Sequence, residues 1–309
     1  MTDRDLSGRV VGEFILREQI GKGGYGAVYR GEQLGLERAV VVKVLHEWRD
    51  DETSRGRFLR EAKLASRLTH PYAAHVYASG VDGKDDLLWL AMELVRGVSF
   101  RDWLLEHGPM SLEQFVPFFE CVADVVQAAH EQGIVHRDLK PSNIMVIQRG
   151  GRLFPKLLDF GIAKMPPEVA PPDGPHGSPG EDPALEDASD PDKVPTTRLR
   201  VQAPHEQRTP TAPGVEAPVS SHSGRGLTPS GACLGSRPYM ALEQWHNAEK
   251  AGPAADIYSL GVIAYQTLTG RLPFTADNAN DYFRQHRDAL PPPLFPPEVN
   301  RVIQTALAK

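Results

Sequence analysis

The chain has 309 residues, a formal net charge of −6, 28 glycines and 27 prolines. A pI near 6.0 argues against a nucleic-acid binder, which would be basic, and no run of about 18 apolar residues offers a membrane span. Two cysteines, Cys121 and Cys233, cannot form a disulfide framework, so a reducing compartment fits best.

Taken in chain order, the first hundred residues read as strands with one helix. Phe14 to Ile20, Ala27 to Arg30, Ala39 to Leu45 and Leu87 to Leu94 are β-rich runs. Between them, Phe58, Leu59, Ala62, Ala65 and Leu68 recur at helical spacing over Arg57 to Leu68. From Ser111 the character turns helical. Ser111 with Gln114 forms a capping-box signature, and Phe115, Phe118, Phe119, Val122, Val125, Val126 and Ala129 follow as one apolar stripe. Pro117 lies inside that stripe and predicts a bend or a shortened first turn. Further helices are expected near Ile257 to Leu268 and from Glu298 to Ala308. The plan is a small β-rich half followed by a larger helical half.

One segment fits neither half. Fourteen of the 27 prolines fall between Pro166 and Pro229, and residues 166–230 contain no Phe, Trp, Tyr or Ile. The window carries ten acidic residues against five basic, split into an acidic stretch to Asp192 and a basic one after it. Such a composition cannot bury enough apolar surface to offset its ordering entropy, so a disordered insertion is expected, either a spacer or a regulatory docking segment.

Three constellations carry chemistry. Gly21-Lys22-Gly23-Gly24-Tyr25-Gly26-Ala27-Val28 reads G-x-G-x-x-G-x-V, a spacing that lets backbone approach phosphates. Dinucleotide-binding folds share these glycines, but there a helix follows; here strand sequence lies on both sides, which predicts a hairpin over phosphates. Next, Lys43 sits inside the apolar run Val40 to Val44 and needs an anion partner there. Glu61, 18 residues on, is the expected partner, and the pair would hold the amine ready for nucleotide phosphates. The third block is the most specific: Val135-His136-Arg137-Asp138-Leu139-Lys140-Pro141-Ser142-Asn143, followed 21 residues after Asp138 by Asp159-Phe160-Gly161. An aspartate to take a hydroxyl proton, a lysine to neutralise a moving phosphoryl group, and Asn and Asp oxygens for Mg²⁺ are all present.

As an ordered set these motifs resemble the eukaryotic-like, bacterial Hanks-type protein serine/threonine kinases. The resemblance implies an α+β bilobal protein-kinase-like fold. It divides the chain into an extension (1–13), a β-rich N-lobe with one main helix (14–95), a helical C-lobe (96–165 and 231–309) and the insertion (166–230) within the activation segment. By the same resemblance, Asp138 is the catalytic base, Lys140 meets the γ-phosphate, and Lys43, paired with Glu61, contacts the α- and β-phosphates. Asn143 and Asp159 hold Mg²⁺ (or Mn²⁺). Met92 resembles the gatekeeper, Glu93 to Val95 the adenine-binding hinge, and Val28, Val41 and Met145 the walls around the ring. Asp256 matches the buried aspartate that braces the catalytic loop, and Ser236 the hydroxyl bonded to the catalytic Asp and Lys. Thr228 and Ser230 fall where such kinases are phosphorylated, with Arg137 available to pair the phosphate.

The sequence departs from the family pattern in three places. Val41 replaces the usual Ala beside the adenine plane, an overpacking of about 1–3 kcal/mol if the pocket does not relax. Leu242 replaces Pro in the A-P-E stretch. The chain stops at Lys309, before the helix whose Arg would pair with Glu243, which predicts an unpaired, partly buried, destabilising carboxylate. The expectation is an ATP- and Mg²⁺-dependent kinase acting on Ser/Thr hydroxyls of protein substrates in signalling, with no nucleic-acid partner and no membrane segment within these residues. The alternative is a pseudokinase-like docking module. The expected location is the cytoplasm, including the case of a cytoplasmic part anchored by a span beyond Lys309; the oligomeric state is left open.

Overall fold

The computed structural model describes residues 5–23, 26–45, 52–83, 86–160, 236–248 and 251–308. Gly24, Gly161, Thr228, Ser230, Cys233 and the insertion 166–230 lie outside the described residues.

Alternating burial builds the N-terminal half. Strands β1 (Val10–Val11), β2 (Phe14–Gly23), β3 (Gly26–Gln33), β4 (Arg38–Leu45), β5 (Val76–Asp82) and β6 (Leu87–Glu93) form an antiparallel sheet in the order β1-β2-β3-β4-β6-β5. Cross-strand partners share a face. Tyr29, Val42 and Ala91 are aligned in register and fully buried on one face, as are Ala27, Val44 and Trp89, giving a core closed by Phe14 and Leu16. The other face carries Val28, Lys43 and Leu90 in one row and Val41 and Met92 in the next. Its apolar members Leu90, Met92 and Val41 join the core of the helical half. Helix α1 (Glu52–Ala65) adds Phe58 and Ala62 to that same core; it starts five residues before the expected Arg57 and ends three before Leu68.

The helical half opens with β7 (Val98–Ser99) and α2 (Phe100–His107), which Ser99 caps by accepting from the Asp102 amide. Helix α3 (Leu112–Glu131) begins with the complete Ser111–Gln114 capping box and runs through Pro117, so the expected shortening does not occur. Its buried stripe is Phe118, Val122, Val125, Val126 and Ala129. A hairpin, β8 (Ile144–Arg149) and β9 (Arg152–Leu157), follows, turning on Gly150 and Gly151, both at positive φ. Among the described residues a 3-10 turn (Arg237–Tyr239) and four more α-helices follow: α4 (Leu242–Asn247), α5 (Pro253–Thr269), α6 (Ala279–Asp288) and α7 (Pro297–Ala306). A Cβ at Gly261 of α5 would stand 3.0 Å from Ala306 and Leu307, so the bare backbone is what lets this helix meet the chain around the end of α7.

The end of β9 is stitched to the segment that leads into β5. Leu157 N–H donates to Tyr72 C=O (2.7 Å), and its own C=O accepts from the Ala74 amide (2.8 Å). Among the described residues, no helix is long and apolar enough to cross a membrane.

Candidate active site

The glycine-rich run occupies a strand hairpin, with Gly21 opposite Val28 and Gly23 opposite Gly26. This is the arrangement expected for a phosphate-covering hairpin, not the strand-turn-helix of a dinucleotide fold. Gly26 has φ 152°, and a Cβ there would fall 2.1 Å from the Val44 carbonyl oxygen, so no other residue fits without moving β4. Lys22 is exposed at the hairpin edge.

Val28, Val41 and Lys43 are half-buried while their strand neighbours are buried, because they stand on the face turned away from the core of the sheet. Val41 pairs across the sheet with Met92. Met145 on β8 alternates with the buried Ile144 and Val146 and is likewise half-buried. At Glu93 the backbone is partly committed: its N–H donates to His75 C=O (2.8 Å), and its carboxylate accepts from Lys156 Nζ (2.8 Å) and from the His75 amide (3.2 Å). Val95, two residues on, lies half-buried beyond the end of β6.

The lysine does not take its expected partner. Lys43 Nζ pairs with the Asp159 carboxylate, while Glu61 on α1 faces Arg137 Nη1 at 3.6 Å. Strand β4 directs the ammonium to the face where Asp159 stands, and one carboxylate suffices to satisfy it. Asp159 adopts φ 60°, a left-handed conformation rare outside glycine, which strained sites use to aim a side chain. Its Oδ1 is buried without a hydrogen-bond partner among the described residues. The preceding Leu158 N–H donates to Asn143 C=O (2.8 Å), which sets Asn143 and Asp159 side by side.

The loop from His136 to Asn143 is held by several groups at once. Asp256, 1 % exposed in the first turn of α5, accepts from the His136 amide (2.8 Å), the Arg137 amide (2.7 Å) and His130 Nε2 (2.8 Å). His136 Nε2 donates to Leu158 C=O (2.7 Å), and its ring packs on Phe160 at 5.0 Å between centroids. Arg137 sits at φ 59°, with its Nε donating to Ala251 C=O at 3.2 Å. Lys140 Nζ donates to Asp138 Oδ2 (2.9 Å) and to Ser236 Oγ (3.0 Å). Asn143 Nδ2 donates to the Asp138 carbonyl (2.9 Å) and to its Oδ2 (3.2 Å). The structure thus brings Asp138, Lys140, Asn143 and Ser236 into one hydrogen-bonded group, with Lys43 and Asp159 as a second pair.

Around it lie residues that the sequence did not single out. Gln244 is buried and donates to the Arg137 carbonyl. Ser259 donates to Tyr239 C=O (2.7 Å), and the Tyr239 hydroxyl donates to Gln266 (2.7 Å). Burial pushes the Tyr239 phenol up to about 12 against the opposing effect of its Gln266 hydrogen bond, and burial also pushes Tyr258 well above the usual tyrosine range. Glu243 is exposed, not partly buried as expected, and stands in the first turn of α4, where the helix dipole favours a carboxylate.

Asn143 and Asp159 pass the test for a divalent cation. The bare Asp159 Oδ1 offers an anionic oxygen with no internal use, and the Asn143 amide nitrogen is turned to Asp138, leaving its oxygen as a ligand.

Residues 14–173, just over half of the chain, match the family described as protein kinase domain. The serine/threonine-protein kinase pkn3 of Myxococcus xanthus is 32% identical over an alignment that covers 100% of this chain and 48% of that protein. PknL of Mycobacterium tuberculosis, also a serine/threonine-protein kinase, is 30% identical over 96% of this chain and 60% of its own length. The chain therefore spans about half to three fifths of the length of these two relatives. The crystal structure of the PknI kinase domain of Mycobacterium tuberculosis superposes with a TM-score of 0.61, covering 98% of this chain and 90% of that one at 22% identity, a likeness of fold.

Proposed function

The chain belongs to the protein kinase domain family, and from that premise we propose that it transfers the γ-phosphoryl group of ATP to serine or threonine hydroxyls of proteins. The observation that carries the reading is the Asp138 carboxylate, held by Lys140 Nζ and Asn143 Nδ2 on a loop braced by buried Asp256. Family membership implies ATP and a divalent metal, and we take Mg²⁺ as the ion, held by Asn143 and Asp159. When bound, such an ion neutralises phosphate charge that side chains alone would meet only in part.

Asp138 orients the attacking hydroxyl and accepts its proton as the new oxygen–phosphorus bond forms and the bond to ADP breaks. Lys140 places a positive charge beside that oxygen and is itself aimed by Ser236. Lys43 turns from Asp159 to the α- and β-phosphates, while Gly21, Gly23 and Gly26 let the hairpin backbone cover them. Val28, Val41 and Met145 enclose the adenine, with Met92 behind it and the Glu93–Val95 backbone along its edge. Ser236, on the approach to Asp138, suits a protein hydroxyl as acceptor. No observation favours the docking-module reading.

Transfer of labelled γ-phosphate to a generic protein substrate tests the proposal. The wild-type chain labels the substrate, and Asp138→Asn loses about 100-fold or more. Equal label in both would overturn it.

A further inference from the structure

We propose that Gln244 is a positioning residue for phosphoryl transfer, a link that sets the catalytic loop from the end of the activation segment; the inference rests on the kinase reading above. Gln244 is 5% exposed, in the first turn of α4. Its Oε1 accepts from the Ala241 amide at 3.0 Å, and its Nε2 donates to the Arg137 carbonyl at 2.8 Å. These two partners fix the amide, since exchanging O and N would set acceptor against acceptor and donor against donor.

Arg137 is where the loop most needs an external hold. Its φ of 59° is a conformation that a non-glycine residue keeps only when its surroundings impose it. Asp256 grips the peptide on its N-terminal side through the Arg137 amide, and Gln244 grips the peptide on its C-terminal side through the carbonyl. That second peptide leads directly into Asp138. The donor therefore acts one bond away from the residue that carries the base, and it comes from the helix immediately after Ser236-Arg237-Pro238-Tyr239. A change in the activation segment that moves α4 withdraws this donor and releases the peptide before Asp138. A purely structural reading is also available, in which Gln244 only caps α4 through Ala241.

A pair of substitutions in the full chain separates the readings. Gln244→Glu keeps an acceptor for Ala241 but, when ionised, has nothing to donate to Arg137. We expect kcat to fall about tenfold at pH 8.5, with KM for ATP within about twofold, the size of one buried hydrogen bond. Relative to wild type, the loss shrinks as pH falls, because the protonated carboxyl donates again. Gln244→Met, of similar length, loses about tenfold at every pH. A Gln244→Glu enzyme with wild-type kcat at pH 8.5, or with a loss independent of pH, overturns the inference and leaves capping as the role. Hydrogen exchange at the residue 137–139 amides reads the same link without turnover. It speeds up in Gln244→Met if the link holds; an unchanged rate overturns it. A wild-type chain that transfers no label counts against the kinase reading alone, and the exchange measurement still decides this one.

Discussion

The sheet half and the helical half of the site hold their charged groups in different ways. On the helical side, the loop from His136 to Asn143 is fixed by buried polar groups: Asp256, Gln244 and Asn143 each bond main chain, and nearly all of these bonds are shorter than 3.0 Å. On the sheet side, Lys43 and Glu61 rest on an apolar strand and an amphipathic helix, and their partners, Asp159 and Arg137, come from the helical half. Main-chain hydrogen bonds to a buried carboxylate leave one arrangement, whereas part-exposed ion pairs exchange at little cost. The helical side is preformed, and on the proposed function the sheet side trades partners for phosphates.

Breaking the preformed side is expected to have the largest effect. Asp256→Ala leaves two main-chain amides and His130 without their acceptor in a dry site. About 3–5 kcal/mol of stability is lost, with transfer activity nearly abolished, in a thermal melt and a label assay. The alternative, a variant melting within a degree or two of wild type, would show that the loop is held by packing instead.

Alkali probes the same side next. Burial raises the Tyr239 phenol to about 12, so the unfolded chain releases this proton near pH 10 while the folded one keeps it. Stability is whole below pH 10 and falls as pH rises from 10 through 12, by something on the order of 2 kcal/mol, with Tyr258 adding in the same direction. Ultraviolet titration would show these phenols ionising only with unfolding. Tyr258→Phe removes a 2.6 Å hydrogen bond to His286 and is expected to cost about 1–2 kcal/mol in urea unfolding.

The smallest stability change belongs to the exchanging side. Glu61→Gln removes a 3.6 Å, part-exposed pair and costs less than about 1 kcal/mol, while still lowering transfer by roughly tenfold if Glu61 takes over Lys43 in the working state. A variant with unchanged activity and unchanged stability would confine Lys43 to Asp159.

The residues whose identity the chemistry dictates were legible in sequence. Asp138, Lys140, Asn143 and Asp159 announce themselves by type and spacing, and the glycines by lying between strands. What escaped is geometry that depends on main chain far away. Gln244 meets a carbonyl 107 residues earlier, and a carbonyl has no signature in sequence. The pairing of Lys43 with Asp159 instead of Glu61 escaped for a related reason, since the two residues are 116 positions apart and meet only through the fold. Hairpin β8–β9 carried a readable signal in Gly150-Gly151, both at positive φ, although Pro155 obscured it; β9 lies at the edge of its sheet, where a missing N–H is tolerated. Helix α6 was hidden because only Tyr282 and His286 of its ten residues are buried.

The stitch at Leu157 has a mechanical meaning. Asp159 follows two residues after a strand end bonded in both directions to residues 72 and 74. Sequence order assigns that aspartate to the helical half, yet its support is riveted to the chain entering the sheet. The placement of Asp159 is therefore coupled to the chain entering β5 as well as to the helical half, because the main chain two residues before it is anchored on residues 72 and 74.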